Sequence, residues 1–286
     1  MSTIIGLGNA GCNIAKKLSA HKQYKVYYIN TEGGDEKKLK VIPKQESFED
    51  YEKNFPSIKT FLKHSKEPYT VIIGGSGAIS GCTLRLLEQI RSSDITVLYI
   101  KPDIDLLSDI ANKQERIAFH VLQQYARSGL LKKMFVVSNS KCEEILGDLT
   151  IKNYFDKIND LISSTYHIYN VFQNVEPIIH TYSATQEMCK IATFGILDEE
   201  GREALLYDLK FPREKHLYYS ICKKNLESDA SLIKNIKKQV RTFMTDKMKV
   251  SYAVYENGYD HDYIYSCCHA SMIQEENYDF PLDDRN

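Results

Sequence analysis

A glycine-rich stretch between a predicted strand and a predicted helix constrains this chain more than any other feature. Residues 74–81 read Gly-Gly-Ser-Gly-Ala-Ile-Ser-Gly; they follow the apolar run 69–73 and precede a helical run over 82–91. A strand that ends in glycines at a helix N-terminus directs unpaired backbone N–H groups and the positive end of the helix dipole toward one point. This geometry suits a phosphate, although a Gly/Ser turn of this kind also occurs for packing reasons alone.

Another glycine loop lies at the start of the chain; in order of sequence we call it the first glycine loop and residues 74–81 the second glycine loop. The apolar residues 3–5 lead into Gly6-Leu7-Gly8-Asn9-Ala10-Gly11, a helical stretch over 12–20 follows, and a second strand is predicted at 24–29. A strand, a helix and a second strand in this order predict a parallel sheet. Glu32 stands about 20 residues beyond the last glycine, where a ribose-binding acid lies in dinucleotide-binding folds. An NAD-binding enzyme of the Rossmann type is therefore one alternative.

The rest of the first half extends the predicted parallel sheet. Strands are predicted over 95–100 and 134–137, and a helix over 106–128 is closed by Gly129, a residue suited to a helix C-terminus. The polar segment 35–68 is predicted to hold a helix over 47–64 and otherwise a loop. Residues 1–151 are thus predicted to form a nucleotide-binding domain.

The second half of the sequence follows a different pattern. A helix over 152–174 would span about 35 Å and is apolar on more than one face, which predicts a connecting helix over 152–176 between two domains. Residues 177–273 predict a smaller mixed α/β domain: helices over 185–193 and 230–243, and strands over 217–222, 249–255 and 263–271, the last two joined by a hairpin-like turn over 256–262. Residues 274–286 are acidic and are predicted to be a flexible tail.

Composition limits the partners and the compartment. The formal net charge is -1, from 37 basic and 38 acidic residues, which gives no reason to predict nucleic-acid binding. No apolar run approaches the roughly 20 residues of a membrane span, and no signal peptide is visible at the N-terminus. The seven cysteines are odd in number and scattered, which is typical of reduced thiols in a cytoplasm. We predict a cytoplasmic protein without a metal centre.

Six short segments occur in a fixed order along the chain. They are Gly6 to Asn13, Asn30-Thr31-Glu32, Gly75 to Gly81, Thr96 to Pro102, Ser138-Asn139, and Phe155 with Asn159 four residues later. Each segment is weak evidence alone, but the order and the spacing over about residues 3–272 resemble the tubulin/FtsZ superfamily, most closely its FtsZ branch. The compact length resembles divergent members of phage or plasmid type.

The resemblance implies a Rossmann-like nucleotide domain, a long central helix and a smaller mixed α/β domain. It further implies binding of GTP or GDP, with Mg²⁺ as a candidate companion ion, and head-to-tail assembly into filaments of this protein with itself. The residues that match the family's nucleotide-contacting positions are Gly8, Asn9, Gly11, Cys12 and Asn13 in the first loop, Thr31 and Glu32 near Mg²⁺ or the ribose, Gly75, Ser76, Gly77, Ser80 and Gly81 around phosphate, and Asn139 and Asn159 at the base.

The chain departs from the family in the second glycine loop. Ala78 stands where the family has Thr, which removes a hydroxyl that would donate to a phosphate. Ile79 stands where the family has Gly, and a β-branched side chain restricts and thickens the loop. The loop is therefore expected to hold phosphate less well or in a changed shape.

The departure at the catalytic loop is larger. In the family, two carboxylates after the central helix position the attacking water for the nucleotide of a neighbouring subunit; here Tyr182 and Thr185 occupy the corresponding positions. Glu176 and Glu187 are the nearby carboxylates, and the family's Arg after the Lys-Pro loop falls on Ile110. The sequence therefore predicts slow or absent GTP hydrolysis.

Two alternatives remain open at this stage. A degenerate tubulin-fold scaffold without nucleotide is favoured by the substitutions at Ala78, Ile79, Tyr182 and Thr185. An NAD-dependent enzyme is less favoured, because the second glycine loop has no role in it and no catalytic His/Lys/Asp set is recognisable.

Overall fold

A computed structural model describes residues 2–34, 36–198 and 200–274. The helices within these residues are α1 (Gly8–Leu18), α2 (Phe48–Lys53), α3 (Thr83–Gln89), α4 (Asp109–Arg127), α5 (Asn139–Leu146), α6 (Tyr154–Asn174), α7 (Lys223–Ser228) and α8 (Leu232–Phe243), with 3₁₀ turns at Ala78–Cys82 and Ile104–Leu106. The strands are β1 (Ser2–Leu7), β2 (Tyr24–Asn30), β3 (Leu39–Val41), β4 (Tyr69–Gly74), β5 (Ile95–Lys101), β6 (Lys133–Ser138), β7 (Ile179–His180), β8 (Ile191–Leu197), β9 (Glu203–Leu205), β10 (Glu214–Cys222), β11 (Lys249–Asn257) and β12 (Tyr263–Ala270).

The strands of the described residues form one sheet in the order β3-β2-β1-β4-β5-β6-β8-β12-β10-β11-β7, with β9 paired to β8. Strands β1 to β6 are parallel, and the two-residue pairing of β6 with β8 continues the sheet into the second half of the chain. The chain winds outward from β1 toward β2 and from β4 toward β5 and β6. The strand order therefore reverses between β1 and β4, and parallel α/β sheets bind ligands in the crevice that such a reversal creates.

Helix α1 lies unusually close to the sheet because glycines replace side chains at the contact. A Cβ atom placed on Gly11 would lie 2.3 Å from the carbonyl oxygen of Ile72 on β4, and one on Gly6 would lie 2.5 Å from the carbonyl oxygen of Gly11. Helices α1, α5 and α6 cover one face of the sheet, and α2, α3 and α4 cover the other. The apolar strands are therefore buried on both faces, as their uninterrupted apolar sequences predict.

The central helix matches its prediction closely. Helix α6 begins two residues later than predicted and ends at the predicted residue, Asn174. It packs against α1, where Lys17 Nζ lies 2.7 Å from Asp156 and 2.6 Å from Asp160. Its inward face is buried, including Ile158, Ile162 and Tyr166 in the core below the sheet. The proposed boundaries at 151, 176 and 273 stay predictions, and the acidic segment 275–286 lies outside the described residues.

Two predicted helices are wrong. Over 47–64 only Phe48–Lys53 is helical; Ser47 caps its first turn by accepting from the Asp50 N–H, and the chain leaves the helix ahead of Pro56. Residues 191–193 belong to a strand instead of the predicted helix 185–193, because β8 is buried between β6 and β12 and takes its backbone hydrogen bonds from both neighbours. Helices α5 and α7 and the short strands β3, β7 and β9 are not predicted from the sequence.

The predicted hairpin of the last two strands is also wrong. Strand β10 lies between them, parallel to β11 and antiparallel to β12. The turn over 256–262 therefore crosses the end of β10 and does not join neighbouring strands. Asp262 Oδ1 in this turn accepts from the Cys222 N–H at 2.8 Å, which holds the turn against the end of β10.

All seven cysteines are free thiols, and six of them are buried. Burial raises the pKa of Cys12, Cys82, Cys142 and Cys267 to about 12. No helix of the described residues is both long enough and apolar enough to cross a membrane.

Candidate functional site

A cavity of about 540 Å³ opens where the strand order reverses, at the carboxyl ends of β1, β2, β4, β5 and β6. The structure brings together eight of the sequence-predicted residues in its lining: Gly8, Asn9, Asn13, Thr31, Ser76, Gly77, Asn139 and Asn159. The remaining lining residues include Asn30, Tyr51, Ala78, Ile79 and Phe155. The volume falls within the range of pockets that hold cofactor-sized ligands.

The N-terminus of α1 opens into this cavity. Gly8, Asn9 and Ala10 line it, and no side chain caps the helix at Leu7. The first N–H groups of a helix have no intrahelical acceptor and carry a partial positive charge. Gly8 has a φ of 69°, a conformation that glycine adopts without strain, and this turn places the α1 N-terminus at the end of β1.

Neutral amides dominate the polar lining. Five asparagines reach the cavity: Asn9, Asn13, Asn30, Asn139 and Asn159. Asn30 fixes one corner, since its amide donates to Asn9 Oδ1 at 2.8 Å and its Oδ1 accepts from the Thr31 N–H at 2.9 Å. Within the described residues no Lys, Arg, Asp or Glu side chain lines this cavity. An anion bound here would therefore depend on backbone N–H groups and amides.

An adjoining cavity of about 280 Å³ shares Asn9, Asn13 and Asn30 and contains Glu32 and Cys12. Glu32 is exposed there. Cys12 lies deeper, and its thiol donates to the carbonyl oxygen of Gly6 at 3.3 Å. Burial raises the pKa of Cys12 to about 12, so this thiol is a packing group at neutral pH.

Four predicted binding residues lie behind the cavity instead of in its lining. Added Cβ atoms on Gly75 and Gly81 would lie 2.3 Å from Tyr99 Oη and 2.1 Å from the Phe48 carbonyl oxygen, and Gly11 contacts β4 as described. Ser80 is buried and donates to the carbonyl oxygen of Gly77 at 2.7 Å. These residues shape the second loop and its supports by close packing.

Ile79 occupies the space between the two glycine loops. The Ile79 Cγ2 atom lies 2.7 Å from the position of a Cβ on Gly8 and 3.6 Å from that of a Cβ on Gly77. The loop itself forms a 3₁₀ turn over Ala78–Cys82. The β-branched side chain of Ile79 therefore thickens this loop by placing a methyl group between the two glycine turns.

Three lining residues with an aromatic ring or an amide, Phe155, Asn30 and Tyr51, are not among the binding residues predicted from the sequence. Phe155 is 67% exposed and lies one helical turn before Asn159 on α6, so the same spacing that selected Asn159 also places an aromatic ring at the cavity mouth. Asn30 was within a recognised segment but was not selected. Tyr51 comes from α2, and no local pattern connects that helix to the two glycine loops.

The predicted catalytic loop lies apart from this cavity. It follows β7, the strand at the far edge of the sheet from β3. The Tyr182 ring packs inward, 5.3 Å from the His216 ring and 5.8 Å from the Tyr218 ring. Burial raises the pKa of the Tyr182 hydroxyl well above its usual value. Tyr182 is partly buried and packs against the core, and Thr185 carries no charge. Glu187 is exposed and pairs with Lys190 at 3.1 Å.

A buried polar group lies beneath this loop. The rings of His216 and His269 are 4.9 Å apart, and Lys133 Nζ lies 3.3 Å from His269 Nδ1. His269 Nε2 is buried without a hydrogen-bond partner among the described residues. Burial, with Lys133 nearby, lowers the pKa of His216 to about 4 and that of His269 well below its usual value.

Two groups of exposed apolar side chains flank the two ends of α6. At the start of α6 they are Ile151 and Phe155, with Leu106 and Ile110 exposed at the start of α4, and in the chain after α6 they are Val175, Ile178, Ile179 and Met188. Helix α6, which lies between Ile151 and Val175 in the chain, is itself about 30 Å long. Exposed apolar groups of this size often mark contact surfaces.

No known family model and no curated protein matches this sequence. Solved structures are similar across nearly the whole chain. They include an empty FtsZ dimer from M. jannaschii (14% identity, TM-score 0.68, covering 94% of this chain and 87% of that chain). They also include a GTPγS-form protofilament of TubZ from Bacillus thuringiensis serovar israelensis (12%, 0.69, 96% and 87%) and CetZ from Methanosaeta thermophila (13%, 0.67, 95% and 86%).

Proposed function

We propose that this chain, which has the tubulin/FtsZ fold, binds a guanine nucleotide and assembles head to tail with further copies of itself. The cavity at the reversal of strand order carries the proposal. It gathers eight of the residues that were selected from sequence segments far apart in the chain. The packing of glycine turns alone would not bring five asparagines into one cavity.

The lining supports a specific placement of the nucleotide. The α1 N-terminus supplies N–H groups for phosphate oxygens. Phe155 offers an exposed ring on which a base can stack, and Asn159 offers an amide that can hydrogen-bond to the base edge. Thr31 and Glu32 supply oxygen atoms of the kind that Mg²⁺ prefers, on the side where the smaller cavity adjoins.

Self-assembly is supported by the two apolar groups at opposite ends of α6. Because the groups differ in sequence and position, a contact between them would be heterologous, and repeated heterologous contacts that do not close produce filaments. The similar TubZ structure is a protofilament. In such an arrangement the loop around Tyr182 of one copy would approach the cavity of the next.

Hydrolysis is proposed to be slow. Positioning of the attacking water in phosphoryl transfer depends on charged or strongly hydrogen-bonding groups. Tyr182 is directed into the core and Thr185 is neutral, so neither supplies the carboxylate that the fold's catalytic loop would need. Assembly would then be complete long before the bound nucleotide is hydrolysed.

Calorimetry with GTP, GDP and ATP on the purified chain tests the binding proposal, with light scattering and phosphate release followed on the same sample. We expect GTP binding with increased scattering and little phosphate release. Asn159→Ala should weaken binding about tenfold, since one or two hydrogen bonds to the base are lost. Asn235→Ala, an exposed asparagine on α8, is the matched control and should bind like the wild type. A burst of phosphate on assembly would refute slow hydrolysis.

A scaffold without nucleotide is the second candidate. It is favoured by the Ile79 methyl group between the two loops and by the uncharged lining of the cavity. Assembly measured by scattering, with no heat of binding at millimolar nucleotide, would support this candidate over the first.

A further inference from the structure

Helix α8 carries a row of exposed cations on one face. Lys234, Lys237, Lys238 and Arg241 are all exposed, at helical positions i, i+3, i+4 and i+7; we call this set the α8 basic face. Ile236 and Val240, on the opposite side of the helix, are buried in a core shared with β10 and β11. The helix is thus held to the sheet by its apolar side, and its cations face solvent.

Within the described part of the chain, the α8 basic face has no ion-pair partner. None of its four cations forms an ion pair with a described residue, whereas Lys17, Lys141 and other surface lysines do. Two pairs at i, i+4 are of like charge, Lys234 with Lys238 and Lys237 with Arg241. Such pairs destabilise a helix, while Glu at alternate positions would stabilise it. The four cations therefore do not contribute to the stability of α8 itself.

The concentration of positive charge continues past the helix. Residues 230–249 carry six cations and one carboxylate, Asp246, although the whole chain has a net charge of -1. Lys247 and Lys249 follow α8 and are exposed, and the Lys249 amine contacts the Ser183 hydroxyl. The near-neutral total charge, which argued against nucleic acid, thus conceals one strongly basic surface.

The chemistry around these cations distinguishes among anionic partners. A helix that binds a membrane surface inserts its apolar side, but here that side is buried in the core. Exposed Asn235 and Thr242 accompany the cations, and Lys, Arg, Asn and Thr are the side chains that contact nucleic-acid phosphates. The face is about 10 Å long, over which one strand of duplex DNA presents about three phosphates.

We propose that the α8 basic face binds the phosphate backbone of duplex DNA without reading its sequence. The proposal is independent of the nucleotide cavity, since α8 packs on β11, on the opposite side of the strand order from β1 and β4. It goes beyond the proposed function by adding a polyanion as a partner of the same chain. Backbone contacts by four cations predict an affinity that depends steeply on salt.

Fluorescence anisotropy with two labelled 30-base-pair duplexes of unrelated sequence tests the proposal, in the absence of nucleotide. We expect equal affinities for the two duplexes and a slope of about -3.6 for log affinity against log salt, which is about a hundredfold loss between 50 and 200 mM. The full chain is used, so a failure to assemble with GTP has no effect on this measurement.

Matched variants locate the contact. Changing Lys234, Lys237, Lys238 and Arg241 together to Gln should abolish binding at 50 mM salt. The control changes four other exposed lysines, Lys44, Lys53, Lys59 and Lys63, to Gln and loses the same charge. It should retain the slope and most of the affinity. Thermal unfolding checks folding, and the α8 variant should melt no lower than the wild type because like charges are removed.

Three results would overturn the proposal. They are absence of DNA binding by the wild type at 50 mM salt, equal loss of binding in both variants, and binding to phosphatidylserine vesicles with none to DNA. A third variant with Lys234, Lys237 and Lys238 changed to Arg conserves charge and should bind DNA like the wild type. Loss of binding in this variant would likewise contradict a contact made through charge.

Discussion

The buried histidines beneath the Tyr182 loop make the folded state sensitive to mild acid. His216 packs against the His269 and Tyr182 rings with 13% of its side chain exposed, and this partial burial, reinforced by Lys133 and Lys249, lowers its pKa to about 4. Glu214 has a carboxylate oxygen 3.9 Å from His216 Nε2, but its attraction does not offset the cost of charging a buried ring. In the unfolded chain the same ring titrates near 6.5.

The sign of the effect follows from proton binding. Between these two pKa values the unfolded state binds a proton that the folded state does not, so the contribution of His216 is fully present above pH 6.5 and is lost as the pH falls toward 4. For values of about 4 and 6.5, the free energy of unfolding falls by about 2 kcal/mol between pH 7.5 and pH 5. His269 acts in the same direction.

Urea denaturation at pH 7.5, 6.5 and 5.0 measures this loss. His216→Gln should flatten the pH dependence by about 2 kcal/mol relative to the wild type, and His120→Gln, at an exposed position on α4, should not. Hydrogen bonds from Lys17 and Arg202 lower the pKa values of Asp156 and Asp198, so these carboxyl groups do not add to a loss of stability at mildly acidic pH. Equal pH slopes for the wild type and His216→Gln would refute the reasoning.

Three further changes test other contacts. Gly11→Ala places a Cβ 2.3 Å from a β4 carbonyl oxygen and should lower the free energy of unfolding by about 1–3 kcal/mol in urea denaturation. The control Gly33→Ala adds a Cβ in open space and should change the free energy of unfolding by less than about 0.5 kcal/mol in the same assay. Ile79→Gly removes the group between the two loops and should raise GTP affinity in calorimetry; an unchanged affinity would contradict its proposed interference. Glu115→Ala removes the carboxylate that Lys101 contacts at 2.9 Å in the core and should cost about 3–5 kcal/mol in thermal unfolding.

The sequence predicts the parallel half of the sheet well because the information there is local. Strands β1, β2, β4, β5 and β6 are unbroken apolar runs bounded by Gly, Pro or polar turns, and α6 is long and periodic. The second half depends on distant pairing. Residues 191–193 suit a helix or a strand by composition, and contacts with β6 and β12 decide for the strand. The insertion of β10 between β11 and β12 likewise has no signal near the turn that it disrupts.

The same difference between local and long-range information applies to the candidate site. The glycine loops and four of the five asparagines are predicted from their order in the chain, and eight of the predicted residues line the cavity. The distinct roles of Gly8 and Gly11 could not be separated from the sequence, because what distinguishes them is the neighbour that a Cβ would meet. Tyr51 enters from a helix whose position relative to the loops is set only by tertiary packing.

The seven free thiols provide the folded protein with an internal reporter. Their burial keeps the reactive thiolate scarce at neutral pH, since Cys82, Cys142 and Cys267 have pKa values near 12 and Cys268 is raised further. Alkylation by a maleimide should therefore be slow in the native state and should follow the opening of the structure. Cys82 directly follows the second glycine loop, and Cys267 lies on β12. Mass spectrometry of the alkylated peptides would therefore give a separate rate of opening for each half of the sheet, without any engineered label.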